Sequence, residues 1–191
     1  MTHESKKRTA NNHPFQTPDG EKVFAYVKKK FKQEMNWNKL AKPGPHELVL
    51  VLDRLKPTYN VGKIIRTAEI FGAKEVRLIG IPFFDPGPTK GACRYIPVKF
   101  FETSGEALKE LINEGYKILF LSPTTEKNLH HEEMPSKTAL IVGHEEFGLS
   151  PETKEIEGLI GVKIPQFGKS QSLNASVAVS IATWEYVRQR G

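Results

Sequence analysis

A single cysteine, Cys93, among 191 residues excludes an intramolecular disulfide and argues against a thiolate metal cluster. It lies in Lys90-Gly91-Ala92-Cys93-Arg94-Tyr95, outside the motifs described below, and reads as an ordinary small side chain rather than a nucleophile. No run reaches the roughly 18 apolar residues of a membrane span. The opening Met1-Thr2-His3-Glu4-Ser5-Lys6-Lys7-Arg8 lacks the apolar stretch of a secretory signal, so a cytoplasmic protein without a membrane partner is expected. No Gly-x-Gly-x-x-Gly follows the first predicted strand, which argues against a Rossmann dehydrogenase. Gly168-Lys169-Ser170-Gln171 is not a Gly-x-Ser-x-Gly nucleophile elbow. His130-His131-Glu132-Glu133 lacks the His-Glu-x-x-His spacing of a helical zinc site and reads as a solvated loop, so no metal is expected.

Charge is present but unevenly placed. Residues 1–45 hold ten Lys or Arg against four Asp or Glu, whereas residues 46–191 hold 18 of each, so the whole net charge of +6 falls in the first segment. A basic arm on a neutral body suits a polyanion held through phosphate contacts in a salt-dependent manner. Charge alone would equally suit a solubilising tail. Within this arm, residues 1–18 read as disordered. Residues 19–35 have the spacing of an amphipathic helix capped by Asp19, with Phe24, Val27, Phe31 and Met35 on one face and Lys28, Lys29, Lys30 and Lys32 largely elsewhere. That apolar face is expected to pack on the main domain. Lys42-Pro43-Gly44-Pro45 reads as a linker, which gives a basic extension over 1–45 and a catalytic-sized domain over 46–191.

The larger segment alternates strands and helices. Strands are predicted over residues 47–52, 75–79, 98–101, 117–121, 139–142 and 159–164, and helices over 61–71, 105–113 and 173–188, with a loop over 82–88. Continuous apolar runs such as Ile118-Leu119-Phe120-Leu121 suit strands covered on both faces. The fold class is therefore α/β, with a largely parallel sheet and helices on both faces.

Three glycine-containing stretches follow predicted strands, where open α/β sheets hold ligands. They are Asn60-Val61-Gly62-Lys63-Ile64-Ile65-Arg66, then Val142-Gly143-His144-Glu145-Glu146-Phe147-Gly148-Leu149-Ser150, then Ile164-Pro165-Gln166-Phe167-Gly168-Lys169-Ser170-Gln171-Ser172-Leu173-Asn174. Gly143 and Gly148 flank Glu145 where backbone is expected to approach a ligand closely. Pro165 and Gly168 restrict and then relax the third stretch, leaving amides and carbonyls able to read a base edge. Asn60 and Arg66 are more than one helical turn apart and need not share a face. Ser172 or Asn174 could instead cap the last helix, His144 reads as an ordinary loop residue, and Arg66 could be a plain surface arginine.

In this order the three stretches resemble the signature motifs of the SPOUT class of RNA methyltransferases, in its SpoU/TrmH branch, over roughly residues 47–189. The resemblance implies a SPOUT-type fold with a C-terminal trefoil knot, against the general rarity of knots. It implies S-adenosylmethionine as methyl donor, a ribose 2′-hydroxyl of tRNA or rRNA as acceptor, and a homodimer. It assigns Asn60, Arg66, Glu145, Ser172 and Asn174 to the catalytic pocket, and Val142, Gly143, Gly148, Ile164, Gln166, Ser172 and Leu173 to the donor site. Arg66 would contact RNA together with Lys28, Lys29, Lys30 and Lys32. Gln166 stands where many relatives have methionine. Such chemistry needs the hydroxyl held in line with the methyl carbon, an effect often worth about 7–11 kcal/mol, and help in removing its proton, typically about 10²–10⁴-fold. The rival from another class is a noncatalytic RNA-binding or ribosome-assembly factor on a methylase scaffold.

Overall fold

The computed structural model describes residues 18–190, so of the segment over 1–18 expected to be disordered, residues 1–17 lie outside the described residues, while Pro18 opens a helix. Strand β1, His46–Asp53, is buried from Leu48 through Asp53 and explains the two-faced architecture. Its side chains alternate between two cores. Leu48, Leu50 and Leu52 pack with Ile64 and Ile65 of α2, Tyr59–Ile70, and with Val179 and Tyr186 of α5, Ala175–Arg190. Val49 and Val51 point the other way, onto Ala107, Leu108 and Leu111 of α3, Ser104–Asn113. A strand with helices on both sides has no solvated face, hence its unbroken apolar sequence.

Six further strands complete one sheet: β2 (Ala73–Ile79), β3 (Val98–Phe101), β4 (Lys117–Leu121), β5 (Lys127–Asn128), β6 (Thr138–Val142) and β7 (Ile160–Lys163). Their order is β3-β2-β1-β6-β4-β7-β5 and every pairing is parallel. Leu52 pairs with Val142, Val142 with Leu121, and Leu121 with Val162, so these strands end in one row. The segments that leave this row therefore converge on one edge of the sheet, where parallel α/β sheets bind ligands.

The predicted strands and helices all form, with ends displaced by a few residues. Among the described residues five short elements are additional, including 3-10 turns over Gly87–Thr89, which overlaps the end of the predicted loop, and over Ala92–Arg94. β5 is two residues long, α4 (Pro151–Lys154) is one turn capped by Ser150, and a further 3-10 turn over Leu129–His131 carries both histidines of the solvated stretch. The last helix starts at Ala175 rather than Leu173, because the Asn174 side-chain oxygen accepts the backbone N–H of Ser176 at 3.0 Å and its hydroxyl at 2.6 Å. Helix α3 starts on a capping box between Thr103 and Glu106.

The basic helix α1 spans Pro18–Asn38, while the side chain of Asp19, its expected cap, lies outside the described residues. It packs as expected on the main domain: Phe31 meets Phe83, Phe84 and Phe100 edge-on at 4.9, 5.2 and 6.2 Å, and Met35 joins the same core. At its end Asn38 donates to the carbonyls of Cys93 and Ile96, at 2.5 and 2.7 Å, and accepts the N–H of Val98 at 3.1 Å. Cys93 is fully buried in this core.

Candidate active site

At the carboxyl edge of β4, β6 and β7 lies a cleft of about 1200 Å³. Val142, Gly143 and Gly148 form one wall, Ile164 and Gln166 a second, and Ser172, Leu173 and Asn174 close it beside the start of α5. Every residue expected to hold a donor is thus gathered in one place, together with Glu145. Asn60 and Arg66 do not line it.

The first wall is a closed turn. His144 and Gly148 exchange both backbone hydrogen bonds at 2.8 Å, and the Glu146 N–H donates to His144 Nδ1 at 3.1 Å. A Cβ on Gly143 would lie 2.2 Å from the carbonyl carbon of Gly148 and 2.4 Å from the amide nitrogen of Leu149, so this position excludes every side chain. The turn packs closely on itself at this point, while Gly143 and Gly148 also line the cleft. Gly148 closes the turn at φ 69°, a left-handed conformation that favours glycine.

This turn presents Glu145 to the loop after β1. Its Oε1 accepts from the Asn60 side-chain amide at 2.8 Å and its Oε2 from the Lys56 backbone N–H at 3.2 Å. Both carboxylate oxygens are therefore aimed by the first turn of α2 and the loop that leads into it. Within the chain, among the described residues, Glu145 is paired with these two groups and not with Arg66. Beside it the Lys56 ammonium contacts Glu146 at 2.5 Å and holds that carboxyl below the usual carboxylate range. The far end of the turn is anchored by Asp53, fully buried at the end of β1, whose Oδ2 accepts the Ser150 N–H at 2.7 Å.

Sequence reasoning passed over Asp53 and Lys56. An aspartate ending an otherwise apolar strand was a legible signal for the first, since a buried carboxylate needs donors. Lys56 acts on Glu145 through its backbone, which no side-chain motif reveals.

Arg66 is exposed on α2 and, among the described residues, has no hydrogen bond or ion pair. Its neighbours behave as packing residues: Thr67 shares a hydrogen bond with Ser180 of α5 at 3.0 Å, and Ala68 is buried. The outer side of the same helix pair is apolar and exposed, with Val177 at 45%, Ile181 at 38% and Trp184 at 54%.

Comparison with known proteins fits this geometry. The pattern of the SpoU rRNA Methylase family matches residues 47–184. The chain belongs to that family. It is 35% identical over 150 residues to the uncharacterized tRNA/rRNA methyltransferase slr0955 of Synechocystis, covering 75% of this chain and 38% of that one. It is 32% identical to the 23S rRNA (guanosine-2′-O-)-methyltransferase RlmB of Ralstonia nicotianae, covering 77% of this chain and 60% of the relative. The chain thus spans less than two thirds of these relatives' length. The crystal structure of the TrmH/SpoU tRNA modifying enzyme of A. aeolicus superposes with a TM-score of 0.70 at 28% identity, covering 83% of both chains. Family membership accords with the motifs after β6 and β7 facing one cleft, with the first motif, distant in sequence, bonded to its rim through Asn60.

Proposed function

We propose that this protein is a methyltransferase that uses S-adenosylmethionine to methylate a ribose 2′-hydroxyl of tRNA or rRNA. The observation that carries the reading is Glu145, aimed by Asn60 and the Lys56 N–H at the rim of a cleft walled by backbone-rich loops. Such a cleft fits the donor: Val142, Gly143, Gly148, Ile164, Gln166, Ser172 and Leu173 offer peptide groups for a base edge and apolar contact for a ribose. When bound, S-adenosylmethionine supplies a methyl group on a positively charged sulfur. The Glu145 carboxylate favours that charge. Ser172 and Asn174 bound the space beside the transferred group, while Asn174 also starts α5.

Arg66 serves in this proposal as a positioner of the RNA phosphate and the developing oxyanion, through the planar fork of donors on its guanidinium. We place it in a partner's cleft. The protein is a homodimer in this proposal, joined through the exposed stripe of Val177, Ile181 and Trp184, which supports a covered interface. The extension over 1–45 guides RNA through Lys28, Lys29 and Lys32, exposed on α1, and through half-buried Lys30, while residues 46–191 catalyse. The C-terminal trefoil knot belongs to the same proposal. It is supported by the likeness to the TrmH/SpoU structure, at a TM-score of 0.70. The proposed RNA substrates support a cytoplasmic setting, and among the described residues no helix is long and apolar enough to cross a membrane.

The test is calorimetric titration with S-adenosylmethionine, repeated on a Ser172→Ala, Leu173→Ala double variant that spares the Asn174 cap. Saturable binding that the variant loses is expected. No binding by folded wild-type protein, with or without RNA, would leave a noncatalytic RNA-binding factor.

A further inference from the structure

The turn that carries Glu145 also carries an aromatic residue that nothing in the described chain covers. Phe147 is 75% exposed, yet it is not on a loose loop. Its ring stacks on His144 at 4.8 Å with an interplanar angle of 24°. The turn beneath is closed by the paired backbone bonds of His144 and Gly148, by the bond from the Glu146 N–H to His144 Nδ1, and by the Lys56–Glu146 ion pair. A flat apolar ring held rigidly in water has an unfavourable hydration that the fold does nothing to relieve. Rigid support without burial is the form of a binding platform.

The cleft gives the occupant. Phe147 lines the same cavity as Glu145, Ser172 and Asn174. At about 1200 Å³ this cavity exceeds the roughly 300–1,000 Å³ usual for one small ligand, leaving room for an acceptor group beside a donor. The acceptor of the proposed reaction is a nucleotide, whose ribose has to enter the cleft and whose base must leave its own stack to let it do so. An unstacked base finds compensation on an aromatic face, and every base has such a face.

We infer that the stacked pair His144 and Phe147 is the platform on which the base of the target nucleotide rests, which sets the ribose against the Glu145 side of the cleft. This rests on the methyltransferase reading. It makes Phe147 a residue that binds substrate without reading base identity, so acceptance of a base depends on its stacking area.

The experiment uses the full-length protein with in vitro transcribed tRNA and rRNA fragments, which carry no modification, and three variants: Phe147→Ala, Phe147→Leu and Phe147→Trp. Leucine keeps apolar bulk but not the flat face, whereas tryptophan keeps the face. The expected result is an RNA KM raised about tenfold in the alanine and leucine variants, with a much smaller change in kcat, and restored by tryptophan. The tryptophan variant should also lose fluorescence on adding RNA beyond the change that Trp37 and Trp184 give in the wild type. An unchanged RNA KM in Phe147→Ala with normal S-adenosylmethionine binding overturns the inference alone. So does a leucine variant equal to wild type, or an alanine variant whose defect is a shift from dimer to monomer in sedimentation, since Phe147 would then face a second copy. Wild-type protein that binds RNA but no S-adenosylmethionine would remove the methyltransferase reading and the inference together.

Discussion

The side-chain amide of Asn60 donates to Glu145 at 2.8 Å and so ties the first turn of α2 to the turn after β6, across 85 residues of sequence. Because the Lys56 N–H holds the other oxygen, the carboxylate cannot rotate away without losing both donors. Its orientation is a property of two loops rather than of one.

This coupling predicts non-additive kinetics. Glu145→Ala is expected to lower kcat by about 10²-fold, within the range for proton transfer and positioning groups. Asn60→Ala should have a smaller effect of the same kind, and the double variant should be no worse than Glu145→Ala, because removing the anchor matters only while the carboxylate is present. Asn60→Asp should be worse than Asn60→Ala, since it sets two carboxylates face to face. Methyl transfer under saturating donor and RNA measures all four, and additive losses would show that the two residues act separately.

Asn38 holds α1 to the loop before β3 through three backbone groups. Asn38→Ala strips those groups of their partner, and each buried unsatisfied group costs about 1–3 kcal/mol, partly recovered by relaxation and water. A decrease of about 3 kcal/mol in urea unfolding is expected, with no change in the affinity of the residual folded protein for S-adenosylmethionine. Removal of residues 1–45 would therefore confuse RNA binding with folding.

Charge reversal separates the two. Lys28, Lys29 and Lys32 are exposed and lie off the face that packs through Phe31 and Met35. Replacing all three with glutamate should leave urea unfolding within about 0.5 kcal/mol, as surface substitutions do. It should weaken RNA binding and flatten its dependence on salt, because every phosphate that the protein no longer neutralises takes about 0.9 from the slope of log K against log salt for a duplex. An unchanged slope would remove α1 from the RNA path.

Cys93 is fully buried, and burial pushes its thiol up to about 12 from an ordinary 9.0. Its native form is thus the unreactive thiol at pH 8, and alkylation should proceed only at the rate of unfolding. The sign of the pH effect follows. A group whose folded pKa lies above its unfolded value contributes stability that is complete below pH 9 and lost as pH rises toward 12. Cys93→Ser or Cys93→Ala should flatten the alkaline limb of the stability curve over that window. Rapid labelling of native protein at pH 8 would contradict it.

The fold was legible where two-sided burial leaves a continuous apolar run, as in β1, β4 and β6, and the helices where apolar residues recur at helical spacing, as in α2. The short elements were not. Two residues of β5 carry no periodicity, and although Ser150-Pro151 is a sound start for α4, a single turn has no apolar stripe to find. The cleft was legible as the second and third glycine-bearing stretches, which line it, but the bond that ties the first stretch to it, between Asn60 and Glu145, depends on strand order, which local pattern does not encode. Asn174 had two readings, pocket and cap, and its position lets it serve both.

The last prediction concerns where Arg66 acts. It is exposed and unpaired among the described residues, it does not line its own cleft, and it shares its helix pair with the exposed Ile181 and Trp184. If the interface forms there, Ile181→Glu should give monomers in sedimentation, with donor binding retained and methyl transfer abolished. Complementation then decides the direction of Arg66. Arg66→Ala and Glu145→Ala are each expected to be nearly inactive alone. When they are refolded together, a cleft combining Glu145 of one protomer with Arg66 of the other is intact once in each mixed dimer, and half of the dimers are mixed. By two-fold symmetry roughly one quarter of wild-type turnover should return. If Arg66 served the cleft of its own chain, no mixed dimer would contain a complete site and nothing would return.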